Sequence, residues 1–192
     1  MTLLGWIRGR RGNENGRKLD AWRSKWQDAA AAPDAAAIDT LTSDLESLGL
    51  AEEDIEIERE MIDGLEQLVT LQTALAAEGL PVIETGHRVV GADTCHFSAP
   101  TSMPDDAAQP SGRLIFTGAR VIFAGGARAL TLPWHAVSEV VQQDRDVVLV
   151  RHDRETLHRF RCNVFADALC AALLARTLAS KRRPSAAAGS KR

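Results

Sequence analysis

The amino-acid sequence predicts an α+β protein, in which an acidic helical segment precedes a seven-stranded antiparallel split β-barrel with a C-terminal capping helix. Three observations carry this. Apolar residues recur at helical spacing from Leu19 to Leu75, short β-rich runs take over after Pro81, and a broad apolar helical face returns near Phe165.

Residues 17–32 place Leu19, Trp22, Trp26 and Ala29 at i, i+3, i+7 and i+10, the stripe of an amphipathic helix that Pro33 ends. Residues 34–48 repeat it with Ile38, Leu41, Leu45 and Leu48, and Gly49 suits the left-handed position just past a helix end. The third helix, 52–78, is the longest. Glu52, Glu53 and Asp54 fill its first turn, where carboxylates favour the helix dipole. Gly79 and Pro81 stop it. The short link at 49–51 implies an antiparallel helical hairpin between the second and third helices.

After Pro81 the period changes. Strands are expected at 94–99, 113–117, 120–124, 128–132, 137–142, 146–152 and 157–162. The connection between the first two is polar and holds Pro104 and Pro110. Gly118 stands first in a two-residue connection, as a type II′ hairpin requires, while Gly125-Gly126 and Asp144-Arg145 mark two further tight turns. The final helix, 164–179, carries Phe165, Leu169, Ala172 and Leu173 on its apolar face. The organisation is therefore a flexible basic N-terminus (1–16), an acidic helical segment (17–80), the β-domain with its helix (81–180) and a disordered basic tail (181–192).

Composition narrows the partner. No apolar run reaches the 18 residues of a membrane span, and the N-terminus is too short in apolar bulk for a secretory signal. Cys95, Cys162 and Cys170 are odd in number and widely spaced, which fits a reducing cytosol rather than a disulfide framework. Residues 34–66 hold twelve acids against the single base Arg59. An acidic centre argues against nucleic acid, whose phosphates need a basic face. The alanine- and arginine-rich, tyrosine-free composition points to a GC-rich bacterial source.

The segment GRLIFTGARVIFAGG is similar to the Gly-x-Leu-x-x-Thr-x-x-Arg-x-x-Phe pattern of GRAM and bacterial PH-like domains, with Gly112, Leu114, Thr117, Arg120 and Phe123 at its fixed positions. TLPWHAVSEV and DVVLVRHDRETLHRFRC extend the resemblance, which covers roughly residues 86–180. It implies the PH-like barrel and capping helix. It also invites a phosphoinositide ligand, since many PH domains grip such headgroups with bases in the first loop. Here that loop contains Asp105 and Asp106, with no Lys or Arg before Arg113, so no specific phosphoinositide is expected.

Three groups of residues are candidates for function. Arg159 and Arg161 share one strand face and could meet an acidic partner, in cis or in a second copy. Trp22 and Trp26 are expected to dock on the helical hairpin, and would mark a protein-binding face if exposed. Trp6, Arg8, Arg10 and Arg11 combine apolar and basic groups in the manner of a weak interfacial anchor. The Cys and His residues fall at no recurrent metal-ligand spacing, and no nucleophile, phosphate-loop or dinucleotide motif is present. The expectation is a non-enzymatic protein-interaction or scaffold module of the cytoplasm, with no cofactor or metal and with homo-oligomerisation left open. The alternative is a peripheral adaptor on an anionic inner membrane face, held by the basic termini.

Overall fold

The computed structural model describes residues 3–125, 129–153 and 155–182, and leaves the side chains of 3–13 and 182 outside that description. The chain divides into two compact units, Met1–Gln72 and Thr73–Arg192.

The first unit is built from α1 (Leu3–Ala31), α2 (Ala35–Ser47) and α3 (Glu56–Ala77), whose last turn crosses the unit boundary. Helix α1 runs through 3–16, which the composition assigns to a flexible stretch. Asp34 caps α2 by accepting from Ala37 N at 2.7 Å. Gly49 takes φ +61° just beyond it, as its type predicts. Glu52–Asp54 form a separate 3₁₀ turn rather than the first turn of α3. Ile55 causes the break, because its φ of −123° leaves the helical region while its side chain turns into the core. The two indoles fasten the bundle. Trp22 Nε1–H donates to Leu41 O on α2 at 2.9 Å, and Trp26 Nε1–H to Met61 O on α3 at 2.8 Å. Each ring thereby buries its apolar body and satisfies its one polar atom.

The second unit contains β1 (Cys95–Ser102), β2 (Ser111–Thr117), β3 (Arg120–Gly125), β4 (Leu130–Pro133), β5 (Val137–Gln143), β6 (Asp146–Arg151), β7 (Leu157–Cys162) and α4 (Phe165–Arg182). All pairings are antiparallel, in the order β4-β3-β2-β1-β7-β6-β5. This is the expected α+β, PH-like arrangement, but the sheet does not close into a barrel: β4 and β5 remain its two edges. Between them the chain leaves the sheet through Pro133 and a 3₁₀ turn at Trp134–Ala136, and proline lacks the N–H a continued ladder needs.

Helix α4 packs against β5, β1, β6 and β7. Its buried surface is rich in alanine, at Ala168, Ala171, Ala172 and Ala175, so the helix backbone comes close to the sheet. Phe116 holds the inner core, with ring centroids 5.0 Å from Phe97 and 5.2 Å from Trp134, the latter edge-on. The opposite face of β2 and β3 is buried too. Ile115 and Ile122 pack with Val90, which a 3₁₀ turn at Arg88–Val90 lays over them.

The β2–β3 corner differs from expectation. Gly118 does not adopt the positive φ of a type II′ turn. Thr117 Oγ1 closes the corner instead, accepting from Ala119 N at 3.2 Å and Arg120 N at 3.1 Å. Arg120 pairs with Asp93 at 3.2 Å rather than with loop carbonyls. At the far end of the same hairpin Gly112 faces Gly125. A Cβ on Gly112 would collide with the main chain of Ala124 and Gly125, and one on Gly125 would lie 2.8 Å from Ser111 O.

Candidate functional site

Alternation along β7 turns Phe160 and Cys162 into the core and leaves Arg159 and Arg161 outside. Both arginines find carboxylates within their own unit. Arg161 grips Asp146 in a fork, Nε–H to Oδ1 at 2.8 Å and Nη2–H to Oδ2 at 3.0 Å. Arg159 lies 3.8 Å from the same carboxylate and 3.5 Å from Asp105. The acidic loop that the sequence marks as hostile to a phosphorylated headgroup thus places one of its carboxylates over the arginine strand. Within this unit the carboxylates beside the two arginines are those of Asp146 and Asp105.

Trp22 and Trp26 are 2% exposed each. The reading in which they form an exposed partner face is corrected: a stripe of large side chains on α1 needed a cover, and α2 and α3 supply it. The side chains of Trp6, Arg8, Arg10 and Arg11 lie outside the described residues.

The groups able to perform covalent or acid–base chemistry are restrained. Burial pushes the Cys162 thiol up to about 12 and the Cys170 thiol up to about 11, with Asp167 adding to both. Cys95 is also shifted up by burial, against a hydrogen bond to Phe97 O. His158 is pushed below its ordinary value by burial and Arg151, with Asp153 pulling the other way. His96 donates Nδ1–H to Pro81 O at 2.7 Å, which ties the incoming chain to β1. Among the described residues, no three His, Cys, Asp or Glu side chains converge as a metal site would require.

The feature the sequence did not reveal is the edge at β5. Its seven residues have β6 on one side and, among the described residues, no strand on the other. Beside this edge lies a groove of about 280 Å³ between β5 and the end of α4, lined by Val137–Val140 on the strand, Ser138 and Glu139 included, and by Arg176, Ala179 and Ser180 on the helix. Its floor is apolar, since Val137, Val140 and Ala179 are buried. Arg176 Nε–H donates to Val140 O at 3.3 Å, so this carbonyl points away from β6 and is held by a side chain of α4. An extended segment laid along β5 could bond to its main chain and place a side chain in the groove. Edge order depends on which distant strands pair, so local patterning in β5 carried no sign of it beyond the absence of Lys, Arg and Pro.

No family model matches the chain, and no curated protein matches it. Among solved structures, similarity is found to the C-terminal domain of an unknown protein from Leishmania infantum, with a TM-score of 0.37 at 11% identity over 57% of this chain and 94% of that one. Two structures of the DH/PH domains of p115-RhoGEF give TM-scores of 0.41 and 0.42 at 8% and 7% identity. They cover 90% of this chain, which spans 56% and 57% of theirs. Likeness at this level carries nothing about ligand or partner.

Proposed function

We propose that the chain is a non-enzymatic interaction module, related to the GRAM-type PH-like domains, whose β-unit holds an extended segment of a protein partner along β5. One observation carries the reading: a seven-residue edge strand with no strand on its outer side among the described residues, running beside a groove with an apolar floor whose Arg176 bonds the outward carbonyl of Val140. Main-chain pairing supplies affinity in such an arrangement, and the groove selects side chains. The restrained thiols and the salt-bridged arginines support a binding role over a catalytic one.

The test is site-specific photocrosslinking of the full-length protein in native cytosol. A benzophenone side chain at Val141, on β5, is expected to give discrete adducts. The same group at Val164, equally exposed but off the edge, serves as the control. Equal adduct patterns from the two positions would overturn the proposal. So would their joint absence with strong sedimentation on anionic vesicles, which would transfer support to the membrane-adaptor reading.

A further inference from the structure

We propose that the strand received by β5 is β5 of a second copy of this chain, paired antiparallel about Val141 into one sheet continuous across two copies. The inference rests on the reading of β5 as the binding element and adds the identity of its partner.

The two edges are not alike. β4 has four residues and ends on Pro133, whereas β5 has seven, with no Lys, Arg or Pro and only one charge, Glu139. Lysine, proline and short length are the usual means of keeping edges from pairing, and β4 shows two of them. β5 is guarded at its start, by an irregularity between Val137 and Glu139 and by α4 packed beside it, while Glu139–Gln143 pair with β6 in unbroken register.

Register follows from two facts. The bond from Arg176 to Val140 O puts the main-chain groups of Val140 on the open side, and strand alternation puts those of Gln142 there as well. Antiparallel pairing centred on Val141 sets Val140 opposite Gln142 of the second copy, so both outward-facing residues exchange N–H···O bonds. The Gln142 N–H of the second copy then takes over Val140 O, and Arg176, itself exposed between buried residues of α4, moves to solvent. On the outer face, Glu139 meets the amide of Gln143 and Val141 meets its own twin. Centring on Glu139 instead would set two carboxylates face to face, which is unfavourable. Registers centred on Val140 or Gln142 would set Val141 against Glu139 or Gln143, whereas the register centred on Val141 sets valine against valine and the carboxylate against an amide.

The outer face gains as well. Val141 is 38% exposed and pairs across the ladder with Val148 on β6. Joining two copies makes a four-valine strip, Val148–Val141 and then Val141–Val148 of the second copy, from which water is removed.

Val141→Cys in the full-length chain tests this. At the two-fold centre the residue forms a non-hydrogen-bonded pair with Cα atoms about 4.5 Å apart, within the range a disulfide spans. Mild oxidation of the purified protein is expected to convert V141C to a disulfide dimer, while the wild type and V164C remain largely uncrosslinked. Cys95 and Cys162 are buried, and the wild-type lane reads the background from Cys170. Sedimentation velocity should show a concentration-dependent dimer that Val141→Lys weakens by roughly tenfold or more, since like charges then face each other. A wild-type chain that stays monomeric at the highest attainable concentration, or a dimer that V141K leaves intact and V141C does not trap, would overturn the inference. If the chain is monomeric but Val141 photoadducts to other proteins persist, the self-pairing fails and the interaction-module reading stands. If both are absent, both fail.

Discussion

Replacing Arg23 with methionine should unfold the helical unit more readily than any surface ion pair would suggest. Glu58 on α3 is 1% exposed, and its carboxylate accepts from Arg23 Nε–H at 2.8 Å and lies 2.6 Å from Arg23 Nη2. Removing one partner of a buried pair leaves an uncompensated charge and typically costs 3–5 kcal/mol, whereas exposed pairs contribute about 0–1. The Arg23 side chain is 42% exposed, so water reaches one member and the lower end applies. A loss of about 3 kcal/mol is expected. With a denaturant slope near 2 kcal/mol/M, the urea midpoint should fall by roughly 1.5 M. Trp22 and Trp26, both inside the unit, report its unfolding by fluorescence in the full-length chain. The double variant Arg23→Met/Glu58→Leu removes both charges and should recover to within about 1 kcal/mol of the parent. A loss below about 1 kcal/mol for R23M, or a double variant as weak as the single one, would refute the claim that a buried, arginine-dependent carboxylate holds α1 to α3.

Three other outcomes can be checked. Trp134 donates Nε1–H to Thr117 O at 2.7 Å from a buried position, so Trp134→Phe should cost about 2–4 kcal/mol from the lost bond and the space left behind, read as a lower thermal midpoint. Thr101 Oγ1 is buried without a hydrogen-bond partner among the described residues, so Thr101→Val should stabilise the protein by about 1 kcal/mol in urea titration. Cys162 and Cys170 hold their protons more tightly folded than unfolded, so their contribution to stability is present below pH 9.0 and is lost as pH rises towards about 12 and about 11. Both thiols should therefore resist maleimide at pH 8 in the native chain and react at once in denaturant, and native labelling as fast as in denaturant would contradict the burial assigned to them.

Much of the fold could be read locally. The i, i+3, i+7 stripes located three helices, and alternation with turn residues located all seven strands to within a few positions, because both signals depend only on neighbours in sequence. What failed required knowing what lies opposite. Trp22 and Trp26 suit a bundle core first and a docking face only if exposed, and the presence of α2 and α3 across from them decides for the core. The 3₁₀ turn over Ile115 and Ile122 left a faint trace: Leu114-Ile115-Phe116 and Val121-Ile122-Phe123 are continuous apolar runs rather than alternating ones, the mark of strands covered on both faces. The pairing of Arg161 with Asp146 was hidden by their separation of 15 positions, although the two become direct cross-strand neighbours in the ladder. The open seam of the sheet left no local trace beyond the lack of Lys, Arg and Pro in β5, since it is set by β1 meeting β7 across the whole unit.

The pattern from Gly112 to Phe123 has a further consequence, once each of its positions is traced to a contact. Gly112 is there because main chain occupies the place of a side chain, Thr117 because its hydroxyl replaces a backbone turn, Arg120 because Asp93 waits beside it, and Leu114 and Phe123 because they fill the interior. None of the five reaches the rim at β5. A signature assembled from such positions sorts chains by shape and is indifferent to what they hold. Two proteins could share every letter of it and bind unrelated molecules, while a change of one residue in β5, invisible to the signature, could exchange one partner for another.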